Sequence, residues 1–185
     1  MKTLYFITTN RNKFEEAREI LQPLVVEQIP LEIPELQGTP AFIVQEKVLA
    51  ACNKLQKPCF VEDVALCCNA WQGLPGPYIK DFEQRIRAEG IWRMLKDFED
   101  KTCKAAALIG YCEPGNEPRI FEGTVEGEIV EPRGTEGFGF DPIFLPKGFQ
   151  QTYAEMGIGE KNKISHRRKA LEQFKEWLRH EHATA

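Results

Sequence analysis

The chain has 185 residues, 42% of them hydrophobic and 28% charged, with a net charge of −4. That is enough apolar material for a core in one domain or two small lobes, and too little chain for a string of separate domains. The acidic balance argues against a general nucleic-acid binder, which presents a broad basic face, and no run approaches the ~20 apolar residues of a membrane-spanning helix.

Leu4-Tyr5-Phe6-Ile7 reads as a buried strand, without the longer apolar region of a secretory signal. It ends in Thr8-Thr9-Asn10, after which Phe14, Ala17 and Leu21 recur at helical spacing. Strand, polar turn and helix open an α/β unit. Leu24 to Gln28 reads as a second strand, followed by an extended segment in which Pro30 and Pro34 discourage helix. Val44, Val48, Cys52 and Leu55 predict a long helix that Lys57-Pro58 stops. Cys59-Phe60-Val61 predicts a short strand delivering Glu62 and Asp63 at its C-terminal end, and Gly73 to Pro77 a rigid loop.

Two amphipathic helices are expected over roughly 78–98. Ala105 to Cys112 and Ile120 to Val130 predict strands joined by the turn Glu113-Pro114-Gly115-Asn116, and 132–149 a Gly/Pro-rich loop. A last helix after Ser165 carries Ala170, Leu171, Phe174 and Leu178 on one stripe. The expected fold is one mixed α/β domain over 1–185, two lobes around a groove. Six cysteines, without disulfide-framework or zinc spacing, read as reduced thiols of a cytoplasmic protein.

Four segments concentrate chemistry. Thr8, Thr9, Asn10, Arg11, Asn12 and Lys13 stand at a strand-to-helix junction, where backbone N–H groups and the helix dipole favour a phosphate; Thr and Asn are equally the residues of an ordinary helix cap. Glu62 and Asp63, with Glu35 in the Pro-rich segment, offer oxygens of the kind Mg²⁺ uses beside phosphates, or form a solvated acidic group. Lys161 to Lys169 holds five cations and no acid, some of them at a helix start that Ser165 would cap, as an anion clamp or as a solvated face. Phe138-Gly139-Phe140-Asp141 offers a stacking platform with a polar neighbour, or buried packing in a turn. Phosphate donors, carboxylates, an aromatic platform and a basic clamp are together what a nucleoside triphosphate requires.

Thr8-x-Asn10-x-x-Lys13, Val61-Glu62-Asp63, Gly73-Leu74-Pro75-Gly76-Pro77-Tyr78-Ile79-Lys80, Phe138-Gly139-Phe140-Asp141-Pro142 and Ser165-His166-Arg167 occur in the order of the Ham1-like inosine triphosphate pyrophosphatase family. The chain resembles that family over about residues 4–178, and Gln151 to Met156 with Glu160-Lys161-Asn162 extend the likeness toward its eukaryotic members. The resemblance implies an elongated mixed β-sheet flanked by helices, in two lobes with a central substrate cleft. It implies hydrolysis of inosine, deoxyinosine and xanthosine triphosphates to monophosphate and pyrophosphate, with Mg²⁺ as cofactor and Mn²⁺ as a substitute. It also implies a cytoplasmic homodimer whose partner is the small-molecule nucleotide, not nucleic acid or membrane.

Carried over by motif, Thr8 to Lys13 and Lys47 hold phosphates, and Glu35 and Asp63 bind the metal. Asp63 is the expected general base, and Lys13 with Lys47 stabilises developing charge. Phe138, Gly139, Phe140, Asp141, Lys161, His166 and Arg167 hold the base and sugar. Arg167, which can only donate, suits a 6-oxo acceptor and mismatches the amino group of adenine. Two departures stand out: Thr9 occupies a position that is usually glycine, and Phe140 one that is often Trp or Tyr. The competing readings are a nucleotide-binding protein without catalysis, a house-cleaning pyrophosphatase of different base preference, and an RNA-binding module.

Overall fold

Alternating apolar strands and capped helices build the first half of the chain, and each cap is written in the sequence. In the computed structural model, which describes residues 3–34 and 36–183, strand β1 (Leu4–Ile7) leads into helix α1 (Arg11–Ile20). Asn10 starts α1 by accepting the Lys13 N–H on its side chain. After β2 (Val26–Ile29), helix α2 (Pro40–Leu55) begins with Thr39 as cap and Pro40 in its first turn. It ends at Gln56 in the left-handed conformation, directly before Lys57-Pro58.

The remaining elements are β3 (Cys59–Cys68), β4 (Pro75–Gly76), α3 (Ile79–Leu95), β5 (Thr102–Cys112), β6 (Arg119–Ile129), β7 (Phe144–Pro146), α4 (Tyr153–Ile164) and α5 (His166–Ala183). The strands form a mixed sheet in the order β2-β1-β3-β5-β6-β7, with β4 added to β3. β1 runs parallel to both β2 and β3, whereas β4 on β3 and β7 on β6 are antiparallel. This is the mixed, helix-flanked sheet expected from the sequence. Among the described residues no helix is long and apolar enough to cross a membrane.

The chain divides into two compact units, Met1–Asp63 with Ala107–Gly123 and Arg167–Ala185, and Val64–Ala106 with Thr124–His166. In the first, the register Phe6↔Phe60 stacks the two rings at 4.4 Å, and Phe174 of α5 packs on Phe60 at 5.3 Å. These apolar rings hold α5 against the strands that carry the polar residues discussed below. In the second unit, Leu66, Ile79, Ile91, Leu95, Phe140, Phe144 and Tyr153 share one core. Here α3 is two helical segments broken at Arg87 (φ 60°, ψ 179°), in line with the two helices expected.

Two local expectations are corrected, and one helix lies where no element is predicted. β3 does not stop at Val61 but continues to Cys68, so Glu62 and Asp63 lie inside the strand. The 132–149 loop contains β7. The stretch before Ser165 holds α4, opened by a reciprocal capping box between Thr152 and Glu155.

Candidate functional site

In the first unit the polar residues converge where β1 ends. The register Phe6↔Phe60 sets Ile7 level with Val61, so Glu62 and Asp63 are the first β3 residues beyond β1. Successive strand residues face opposite sides of a sheet. Glu62 therefore meets α1 and α5, and Asp63 meets α2. A position inside β3 thus still provides a strand-end opening, because the neighbouring strand is shorter.

Thr8 leaves β1 with its N–H donating to the Ile29 carbonyl and its own carbonyl accepting from Gln28 Nε2 at 3.0 Å. Its hydroxyl accepts the Asn10 N–H at 3.1 Å, which shapes the turn into α1. Thr9, Asn10, Arg11 and Asn12 are exposed at this turn. Thr9 is absent from the residues of positive φ among those described. Its backbone does not demand glycine, so the β-branched side chain sits there without left-handed strain. Arg11 pairs with Glu15 of its own helix and lies over the Phe14 ring at 5.2 Å.

Three cations and three carboxylates follow. Lys13 Nζ lies 3.4 Å from Glu62 Oε1, and Lys47 Nζ 3.5 Å from Asp63 Oδ1. Arg167, at the start of α5, grips Glu62 side-on: Nε donates to Oε2 at 2.8 Å and Nη2 to Oε1 at 2.7 Å. Its Nη1 donates to Glu16 Oε2. Burial opposes the charge on Arg167, but the Glu62 and Glu16 carboxylates outweigh it and hold the guanidinium more firmly protonated than in water. Lys13 and Lys47, and Asp63, retain some solvent access, while Glu62 is enclosed.

Among the described residues these three cations and three carboxylates balance, so a bound triphosphate would need further positive charge. Among the described residues no set of three or more His, Cys, Asp or Glu is arranged to hold a metal by itself, and Glu35 lies outside the described residues. Mg²⁺ characteristically binds through one or two carboxylates, with substrate phosphates and water completing its shell. The partly accessible Asp63 oxygens fit that donor pattern.

In the second unit a separate polar group sits on the 137–141 turn. Gly137 (φ +79°) is required there, because a Cβ would stand 2.3 Å from Asp141 Oδ2. Asp141 Oδ2 accepts the Phe138 N–H at 2.8 Å and pairs with Lys161 Nζ at 2.7 Å. Lys161 Nζ also lies 4.5 Å from the Phe138 ring centroid. Gly139 adopts φ +65°, with the Glu83 carboxylate on the side where a Cβ would point.

The two rings of this turn differ. Phe138 is half-buried, whereas Phe140 is 4% exposed and packs on Phe144 and His166. His166 also stacks with Tyr153. Of the two readings the sequence leaves open for this turn, buried packing holds for Phe140.

The basic segment spans two helices: Lys161 and Lys163 occupy the last turn of α4, where a helix dipole favours cations, while Arg167, Arg168 and Lys169 stand at the start of α5, as expected of some of these side chains. Lys161 and Arg167 turn inward, while Lys163 and Arg168 pair with Glu160 and Glu172 at the surface. Ser165, extended at φ −65° and ψ 157°, directly precedes α5. Glu16 is not among the residues singled out from the sequence. Glu16 did leave a signal: it is a carboxylate on the inward stripe of α1 with Ala17 and Ile20.

With the geometry described, the likeness to known proteins is extensive. Residues 4–177 match the Ham1 family. A Pyricularia oryzae protein named inosine triphosphate pyrophosphatase is 48% identical over 179 residues, covering 96% of this chain and 94% of that protein. A protein of the same name from Tuber melanosporum is 47% identical, covering 96% and 97%. Among solved structures, a HAM1 protein from Coxiella burnetii superposes with a TM-score of 0.87 at 31% identity, covering 97% of this chain and all of that one.

Proposed function

The chain belongs to the Ham1 family, and on that footing we propose that it hydrolyses inosine, deoxyinosine and xanthosine triphosphates to the monophosphate and pyrophosphate. The observation that carries the proposal is the convergence, beyond the end of β1, of the Thr8–Lys13 turn with Asp63, Lys47, Glu62 and Arg167. Relatives named inosine triphosphate pyrophosphatase share nearly the whole chain.

In this reading Thr8 to Lys13 present backbone and side-chain donors to the phosphates, and Lys13 and Lys47 stabilise charge developing on them. Asp63 Oδ takes the proton from the water that attacks the α-phosphorus. Lys47, 3.5 Å away, orients that carboxylate beforehand. Asp63, with Glu35, would hold Mg²⁺. The ion supplies neutralisation of phosphate oxygens and orientation of the leaving pyrophosphate.

Arg167 donates to the 6-oxo group of the base; a buried mismatch with an amino group there costs about 1–3 kcal/mol. Phe138, Gly139, Phe140, Asp141, Lys161 and His166 serve the base and sugar, with Phe138 the more accessible ring and Phe140 and His166 stiffening the turn from within. The proposal includes a cytoplasmic homodimer, checked in solution by light scattering: a mass twice that of one chain is expected.

Incubation of the protein and Mg²⁺ with inosine, xanthosine, adenosine and guanosine triphosphates, followed by product identification, tests the function. Monophosphate and pyrophosphate from the first two are expected, with little from the others. Binding without product would favour the nucleotide-binding reading, and orthophosphate would contradict attack at the α-phosphorus.

A further inference from the structure

Glu62 stands out among the buried polar residues because one of its oxygens serves two cations of different proposed roles. Oε1 accepts from Arg167 Nη2 at 2.7 Å and lies 3.4 Å from Lys13 Nζ, while Oε2 accepts from Arg167 Nε at 2.8 Å. The side chain is 0% exposed. Both of its oxygens are engaged by these cations, so it acts on a ligand through those neighbours.

We infer that Glu62 is a positioning residue that links base reading by Arg167 to phosphate holding by Lys13. The inference rests on the proposed function and adds to it a residue that touches neither end of the substrate.

The physical case has three parts. A side-on carboxylate fixes both the plane and the tilt of a guanidinium, because rotation would break two charge-assisted hydrogen bonds at once. Glu16 on Nη1 adds a third attachment from a different helix, so Arg167 is held between β3 and α1. Lys13 belongs to that same helix, one turn before Glu16, and shares the Glu62 oxygen at a longer distance.

When Lys13 turns toward a phosphate, the attraction it exerts on Oε1 weakens, and the Glu62 charge falls more fully on Arg167. Phosphate occupancy then tightens the hold on the base reader. Without Glu62 the linkage fails in two opposite senses. Arg167 loses its fixed plane, and Lys13 loses an anionic competitor.

The opposed signs make the test specific. Glu62→Gln keeps the size and removes the charge; Glu62→Asp keeps the charge and withdraws it by one methylene, and it decides the matter should the glutamine variant not fold. Calorimetry with inosine monophosphate, adenosine monophosphate and pyrophosphate as separate probes is run on the wild type and each folded variant, beside turnover of inosine and adenosine triphosphates.

Discrimination between the inosine and adenosine probes is expected to fall about tenfold, the scale of one charge-assisted contact. Pyrophosphate affinity is expected to rise severalfold in the glutamine variant. In turnover, the loss appears in KM for inosine triphosphate more than in kcat.

A merely structural Glu62 would lower both affinities together or leave both unchanged, and either result in a folded variant overturns the inference. Wild-type protein that leaves inosine triphosphate intact would end the proposed function instead. The calorimetric ratios would still decide the role of Glu62.

Discussion

Lys161 and Asp141 form a buried ion pair in the second unit, with Nζ 2.7 Å from Oδ2 and side chains only 1% and 4% exposed. The same oxygen accepts the Phe138 N–H, so one carboxylate fixes both the cation and the turn. Asp141→Ala would strand the Lys161 charge in the interior. Breaking such a pair costs about 3–5 kcal/mol. Urea unfolding is the check: a clearly lower midpoint is expected, and an unchanged one would mean that the pair carries no structural weight.

Asp63→Asn separates charge and basicity from size. The variant is expected to fold as the wild type does, because the side chain is partly exposed and the core stack of Phe6 on Phe60 is untouched. Turnover of inosine triphosphate should fall by about 10²–10⁴-fold, the usual contribution of a positioned base. Comparison of kcat at equal thermal midpoint reads this out. Wild-type turnover would remove Asp63 from the proposed role.

The cysteines yield a prediction about alkali. Burial pushes the Cys59 and Cys68 thiols up to about 12. An unfolded thiol releases its proton near pH 9, while the folded one holds it to about 12. The stability these thiols contribute is therefore complete below pH 9 and lost as pH rises toward 12. Denaturation midpoints at neutral pH and at pH near 10.5 should differ in that direction. At pH 8 a thiol reagent should label the half-buried Cys67 first, with Cys59 and Cys68 following only on unfolding.

Arg87 breaks α3 at φ 60° and ψ 179°, a region essentially confined to glycine. Arg87→Gly is expected to raise stability by about 1 kcal/mol, the relief of strain exceeding the entropy that glycine adds to the unfolded chain. Loss of stability in urea would show that the arginine side chain holds the break in place.

Much of this organisation was legible because apolar periodicity and caps agree. Leu4–Ile7 is read and found identically, and Thr39 before the helix, Pro40 at its start and Lys57-Pro58 after it bound α2 in chemistry as well as in structure. β3 was misjudged because Glu62 and Asp63 look like a strand end. Their charges are tolerated inside a strand because Arg167, Lys13 and Lys47, from other elements, meet them.

α4 was hidden by Gly157 and Gly159, although Thr152-x-x-Glu155 is a capping box that could have been read directly. Lys13, Lys47, Glu62, Asp63 and Arg167, which meet in the first unit, were all nameable from sequence. What pattern alone could not show was which side chains face inward. Phe138 and Phe140 differ by two positions in one turn, yet one is half-buried and the other packed in the core. The same limit hid Glu16, whose partner Arg167 lies 151 residues away.

Hydrolysis of inosine triphosphate in ¹⁸O-labelled water tests the central proposal most directly. Attack on the α-phosphorus assisted by Asp63 predicts label in inosine monophosphate and none in pyrophosphate. Label in pyrophosphate or in orthophosphate would place the attack elsewhere and contradict the account.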